Sequence, residues 1–160
     1  MAAAIEIDAS RVMALADRFR QGPETVDREF LKAMQLSVFA IEAEAKEIVP
    51  KDTSDLVRSI TSTATPVEGR VGTNKIAYAQ VMEYGRRPGA AMPPQGALLE
   101  WMRRKGIDQS LEYVIRRAIA RNGIAGRHYM QKAFEKLKPQ VERNFALASE
   151  AVARQLAGGR

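Results

Sequence analysis

The sequence predicts an α+β fold: a long N-terminal helix and a C-terminal helix packed on a small antiparallel sheet, with an inserted helical pair. Three observations predict it. Residues 24–49 contain neither glycine nor proline and repeat apolar side chains every three or four positions. Residues 60–73 switch to β-branched, alternating residues around a turn. Residues 127–156 return to the helical period. A chain of 160 residues fits one domain with a sizeable core. Within it, residues 1–22 are expected as a helical arm and 23–157 as the core, with the insertion at about 93–123 and a frayed tail at 158–160.

In chain order, Val12, Leu15, Ala16 and Phe19 predict a first helix over 10–19, with Ser10 as its N-cap. Gln21-Gly22-Pro23 breaks it, and Pro23 suits the first turn of the next helix. That helix, 24–49, aligns Val26, Phe30, Met34, Val38, Ile41, Ala45 and Ile48 on one stripe and would be ~39 Å long. Pro50 stops it, because a residue before proline avoids the helical region. A turn over 51–55 leads to a short helix over 55–59. Strands over 60–65 and 70–73 then form a hairpin about the turn Pro66-Val67-Glu68-Gly69. Residues 76–84 are apolar and compatible with either a strand or a short helix.

Residues 85–96, with Arg86-Arg87-Pro88-Gly89 and Met92-Pro93-Pro94, are expected as a long loop. Its prolines interrupt backbone pairing, so it should be held loosely in a free subunit and become ordered on assembly. Two helices follow, 97–105 closed by Gly106 and 110–122 closed by Gly123. The last helical region carries Met130, Phe134, Leu137, Val141, Phe145, Ala148, Val152 and Leu156, and Pro139 predicts a break or kink near Leu137.

Composition narrows function. The absence of cysteine excludes disulfides and thiolate metal sites. No apolar run approaches the ~20 residues of a membrane span, and residues 1–8 lack the pattern of a secretory signal, so no membrane partner is expected. A net charge of +6 and a pI near 9.8 favour anionic partners, either nucleic acid or acidic protein faces.

Catalytic sets are not evident. His128 is the only histidine, which rules out a multi-histidine metal site, and no serine is supplied with an obvious base. Glu42, Glu44 and Glu47 lie beside Lys46 on the polar side of an amphipathic helix and read as a solvated face. The glycines of 69–74 lack the Gly-Lys-Ser/Thr ending of a phosphate-binding loop. No cofactor, metal or enzymatic activity is therefore expected. The alternative class is a DNA-binding helix-turn-helix regulator. The two helices around Gly106 have that outline and carry Arg103, Arg104, Lys105, Arg116, Arg117 and Arg121. Against it, Asp108 and Glu112 open the second helix, while its arginines gather toward the end that complements the macrodipole.

Three separated stretches carry a family resemblance. The first is Ala45, Ile48-Val49-Pro50, Asp52-Thr53, then Leu56, Arg58 and Ser59. The second is Val71-Gly72-Thr73-Asn74, Tyr78-Ala79 and Val81-Met82-Glu83-Tyr84-Gly85. The third is Arg127-His128-Tyr129-Met130 with Ala133. In order and spacing, over roughly residues 25–156, the chain resembles the tail-component family of long-tailed phages. That family comprises neck and tail-completion (head–tail joining) proteins and includes the minor tail protein Z group of lambda-like phages. Ser54, Arg86 and His128 depart from the family pattern of glycine, threonine and proline at those places.

The resemblance implies a structural virion protein without catalysis, made in the bacterial host cytoplasm and assembled into the neck or tail. Its expected partners are further copies of itself in a ring, a hexamer being one option, and other phage neck or tail proteins. Non-specific proximity to DNA also follows from such a location. At family-like positions, Arg58, Glu83 and Arg127 are expected to form a structural ion pair. Arg86, Arg87, Met92, Arg103 and Arg104 are expected to contact a neighbouring subunit or partner.

Overall fold

The computed structural model describes Asp17, Arg20 and residues 22–49, 54–73 and 76–158. The expected helix over 10–19, the turn residues 50–53, Asn74 and the last two residues of the tail lie outside that set, Asp17 apart. The described order is α1 (Gly22–Ile48), α2 (Ser54–Ser59), β1 (Ile60–Ala64), β2 (Gly69–Thr73), α3 (Ile76–Tyr84), β3 (Gly85–Arg86), α4 (Leu99–Lys105), a 3-10 turn (Gln109–Leu111), α5 (Glu112–Asn122), β4 (Ile124–Ala125) and α6 (Tyr129–Ala157). This is the α+β arrangement predicted from the sequence: long first and last helices, a small antiparallel sheet, and a helical pair inserted between them.

The predicted stripe on α1 is the buried one. Val38 and Ala45 are buried, and Val26, Phe30, Met34, Ile41 and Ile48 are half-buried. The helix has two inner faces. Toward α6, the rings of Phe30 and Phe145 meet edge-on at 5.8 Å. Asn144 donates to Ser37 Oγ at 3.1 Å, and Lys136 pairs with Glu44 at 2.8 Å. Toward the hairpin, α1 packs against both β1 and β2. The hairpin is in register from Ile60 opposite Thr73 to Ala64 opposite Gly69. Its turn is closed by the Thr65 amide donating to the Glu68 carbonyl at 2.7 Å.

The core joins Ala45, Val49, Leu56, Ile60, Ala79, Tyr129 and Ala133. Leu56 and Ile60 are at most 1% exposed, so each contributes on the order of 1.5–3 kcal/mol of apolar burial. Residues 76–84, left open between strand and helix by their sequence, form a helix.

Two expectations are corrected. Helix α6 runs unbroken from Tyr129 to Ala157 with Pro139 inside it. Pro139 is exposed, so its missing amide costs one bond in a helix held along α1 at several other points. The proline-rich loop is tied to its own chain, not loosely held. Gly85 and Arg86 pair antiparallel with Ala125 and Ile124. The Gly89 amide donates to the Ala120 carbonyl at 2.8 Å, and Arg116 Nε donates to the Pro93 carbonyl at 2.7 Å. The anchoring groups come from α5 and β4, about 20–40 residues further along the chain.

Candidate functional site

The second and third family-like stretches meet at the junction of α3, the β3–β4 ribbon and the start of α6, while Ala45, Val49 and Leu56 of the first share a core with Ala79, Tyr129 and Ala133. Glu83 lies in the last turn of α3 and is 7% exposed. Its carboxylate accepts from the backbone amides of Met130, at 2.9 Å, and Gln131, at 3.1 Å. These amides belong to the first turn of α6, where helix geometry leaves N–H groups unsatisfied and the macrodipole favours negative charge. Glu83 therefore caps α6 from another element. His128 occupies the cap position itself in the left-handed conformation, at φ 53°, and its side chain makes no capping bond.

Main-chain bonds complete the junction. The amides of Arg127 and His128 donate to the carbonyls of Met82 and Glu83 at 2.7 and 3.1 Å. The crossing is too close for side chains. A Cβ on Gly126 would lie 2.6 Å from the Glu83 carbonyl oxygen, and one on Gly85 or Gly123 would also meet backbone under 3.0 Å. Gly85 and Gly123 additionally hold positive φ, at 76° and 73°.

The expected Arg58–Glu83–Arg127 ion pair does not form. Among the described residues, no ion pair joins Glu83 to either arginine, and both arginines are exposed. Helix-terminal amides supply the positive partner that a guanidinium was expected to supply. Arg127 contributes its backbone N–H to the same junction. The residue letters do carry a signal for this arrangement. A helix that opens after His128, with no Ser, Thr, Asp or Asn at the cap, needs an acceptor from elsewhere.

The acids of α1 are structural. Glu42 pairs with Lys46 and accepts from the Ser62 hydroxyl, linking α1 to β1. These two donors hold its carboxyl below the usual range. Glu44 pairs with Lys136 of α6. Burial, and then the nearby Glu83 carboxylate, push the Tyr129 phenol above its ordinary value.

The five residues expected at a partner surface lie in the insertion or its connecting loop. Arg87, Met92, Arg103 and Arg104 are exposed, and Arg86 is half-buried. Arg86 turns its guanidinium to the Ala91 carbonyl, and Arg104 pairs with Glu100 at 3.1 Å. Within the insertion, Met102 is fully buried. Glu112, at 9% exposed, accepts from the Gly96 amide at 2.6 Å. Sequence reasoning missed this role: Glu112 faces inward at the start of α5, while Leu111, Tyr113 and Val114 face out. Base-reading helices present polar N-terminal residues, so this start suits a helix-turn-helix reader poorly.

Further exposed apolar side chains lie on the long helices: Leu36 and Phe39 of α1, and Phe134 and Leu147 of α6. On α1, Leu36, Phe39 and the exposed Ala43 share one outward stripe by helical spacing. Among the described residues no helix is long and apolar enough to cross a membrane. Comparison with protein-family models, curated proteins and solved structures returned no significant match.

Proposed function

We propose that this chain is a structural virion protein of a long-tailed bacteriophage. It acts at the head–tail junction as a neck or tail-completion component, in a homo-oligomeric ring and without catalytic activity. One observation carries the reading. The three stretches that resemble the tail-component family, far apart in sequence, converge on a single unit. Ala45, Val49, Leu56, Ala79, Tyr129 and Ala133 share one core, and Glu83 of the second stretch caps the helix that the third stretch opens. Shared motif positions that build one another's packing are what a common fold would require.

The exposed surface supports an assembly role. Large apolar side chains emerge on α1, on α6 and at the start of α5. A ring subunit meets its two neighbours through two different faces, so apolar surface on more than one element is what such a subunit needs.

The test is deletion of the gene in a phage that encodes it, with negative-stain microscopy of the products. Unjoined heads and tails, or tails of abnormal ends, are expected, with rings of the purified protein in sedimentation and microscopy. Normal infectious particles from the deletion would overturn the proposal.

A further inference from the structure

We infer that residues 86–127 form a sequence-independent binding surface for the phosphate backbone of duplex DNA. The inference rests on charge and geometry alone and does not depend on the head–tail reading. Nine of the 25 basic residues and three of the 19 acidic ones fall in this segment, a net of +6. That equals the net charge of the whole chain; the 16 basic and 16 acidic residues elsewhere cancel.

The three acids of the segment are all engaged internally. Glu100 pairs with Arg104 at 3.1 Å, Asp108 accepts from the Ser110 amide at 2.9 Å, and Glu112 accepts from the Gly96 amide. Two arginines are engaged as well, Arg86 with the Ala91 carbonyl and Arg116 with the Pro93 carbonyl. Arg87, Arg103, Arg117, Arg121 and Arg127 are left exposed, with no ion-pair partner among the described residues. Outside the segment, Arg28, Lys32, Lys46, Arg70 and Lys136 each hold a carboxylate, while Arg58, Lys132, Lys138 and Arg143 are exposed with no ion-pair partner among the described residues, so what sets the segment apart is its surplus of basic over acidic residues.

The open arginines include a ridge. Tyr113, Arg117 and Arg121 follow one another at four-residue spacing on α5, all exposed. The backbone of Arg87 lies against Gly123, just past the end of α5, which brings a third exposed arginine to that end of the helix. Like charges one turn apart repel, which a fold tolerates without gain unless an anion covers them. The macrodipole of α5 accounts for Arg121 in its last turn. It does not account for Arg87 or Arg127, which lie outside any helix.

From Tyr113 to Arg121 the ridge is ~12 Å long, and each strand of duplex DNA carries one phosphate per ~3.4 Å of axis, so on the order of three or four phosphates of one strand span it. A repeating polyanion supplies such a row by its own regularity. The acidic face of a protein would have to be built to match. Contact falls on the backbone and not on bases, because α5 opens with Leu111, Tyr113 and Val114 outward and Glu112 inward.

The experiment is fluorescence anisotropy of the full chain with two duplexes of about 30 bp and unrelated sequence, between about 50 and 200 mM salt. Both duplexes should bind equally within twofold, with log K falling against log salt at a slope of about −4 to −5 if all five arginines engage. The variant R117E/R121E should bind at least tenfold more weakly at low salt and lower the slope by about 2. The control K138E/R143E, with the same charge change on exposed positions of α6, should stay within threefold of the parent. Circular dichroism checks that both remain folded. No binding at about 50 mM salt overturns the inference and leaves an acidic protein face as the partner. A preference above tenfold for one duplex overturns it in favour of base readout. Equal losses in the two variants overturn the assignment to this surface.

Discussion

Replacing Glu83 by alanine tests how the last helix is held to the fold. The substitution removes, in one step, the acceptor for the Met130 and Gln131 amides, at a place only 7% exposed. An ordinary N-cap contributes about 1 kcal/mol, and hydrogen bonds to a charged acceptor contribute about 1.5–3 kcal/mol each. The two bonds share one carboxylate and are not additive, so the expected loss for Glu83→Ala is about 3 kcal/mol. Glu83→Gln keeps a neutral acceptor oxygen and should lose about 1–1.5 kcal/mol. The bonds from the Arg127 and His128 amides to the Met82 and Glu83 carbonyls survive both changes. Helix α6 should therefore stay docked, with an unchanged m-value in urea unfolding followed by circular dichroism at pH 7. Arg58→Ala and Arg127→Ala should each fall within about 0.5 kcal/mol of the parent, since both side chains are exposed. An alanine variant of Glu83 as stable as the parent would refute the capping argument. An Arg127→Ala variant as damaging as Glu83→Ala would make the guanidinium the true partner.

Three further outcomes follow from the same geometry. Gly126→Ala forces a Cβ to 2.6 Å from the Glu83 carbonyl oxygen and should cost more than about 2 kcal/mol, whereas Gly106→Ala meets open space and should cost only the left-handed penalty of about 1 kcal/mol; equal shifts of the two in thermal melts would contradict this. Pro139→Ala restores an amide facing the Glu135 carbonyl within an unbroken helix and should stabilise by about 1–3 kcal/mol, an outcome that a lowered Tm would exclude. Glu42→Gln should cost about 1 kcal/mol at pH 7. The folded carboxyl titrates below its unfolded value near 4.5, so its stabilisation is full above that value and fades as pH falls through the folded pKa. The gap between parent and variant should therefore close in acid, and a gap constant with pH would assign it to packing instead.

Helix α1 was legible because its burial follows one period over 27 residues, long enough for the pattern to exclude a strand. Helix α3 was not, because nine residues, seven of them hydrophobic, satisfy both periods, and what decides between them is packing of Ala79 in a core drawn from four other segments. The expected break at Pro139 gave the local penalty too much weight. Contacts along α1 outweigh one missing hydrogen bond when the proline ring faces solvent. Glu83 was singled out from sequence, yet its partner was misassigned, because backbone amides at a helix start have no letter in the sequence. The loop at 85–94 was misjudged for a related reason: its anchors are a carbonyl on Ala120 and a guanidinium on Arg116, neither of them local.

The charge asymmetry and the ribbon explain each other mechanically. The insertion is joined to the rest through β3, β4 and α3, while α5 makes its principal contacts with the neighbouring 3-10 turn and not with α1 or α6. A segment carrying +6 would strain a core in which it was embedded, since burying unpaired arginines has a cost of several kcal/mol each. Set outside, it leaves the core neutral and solvates its charge until an anion takes water's place. The narrow connection then becomes the weak point, because two residue pairs must fix the direction of the whole insertion. Gly85, Gly123 and Gly126 meet that demand by letting backbone approach backbone, which leaves no side-chain play at the crossing. Two kinds of change should therefore separate. Charge reversal at Arg117 and Arg121 should alter binding and leave the unfolding midpoint of the core within about 0.5 kcal/mol of the parent. Enlarging Gly126 should do the opposite, lowering stability while each open arginine remains in place. A double reversal that unfolds the core would mean that the insertion is part of it, and that charge and packing are not separated in this fold.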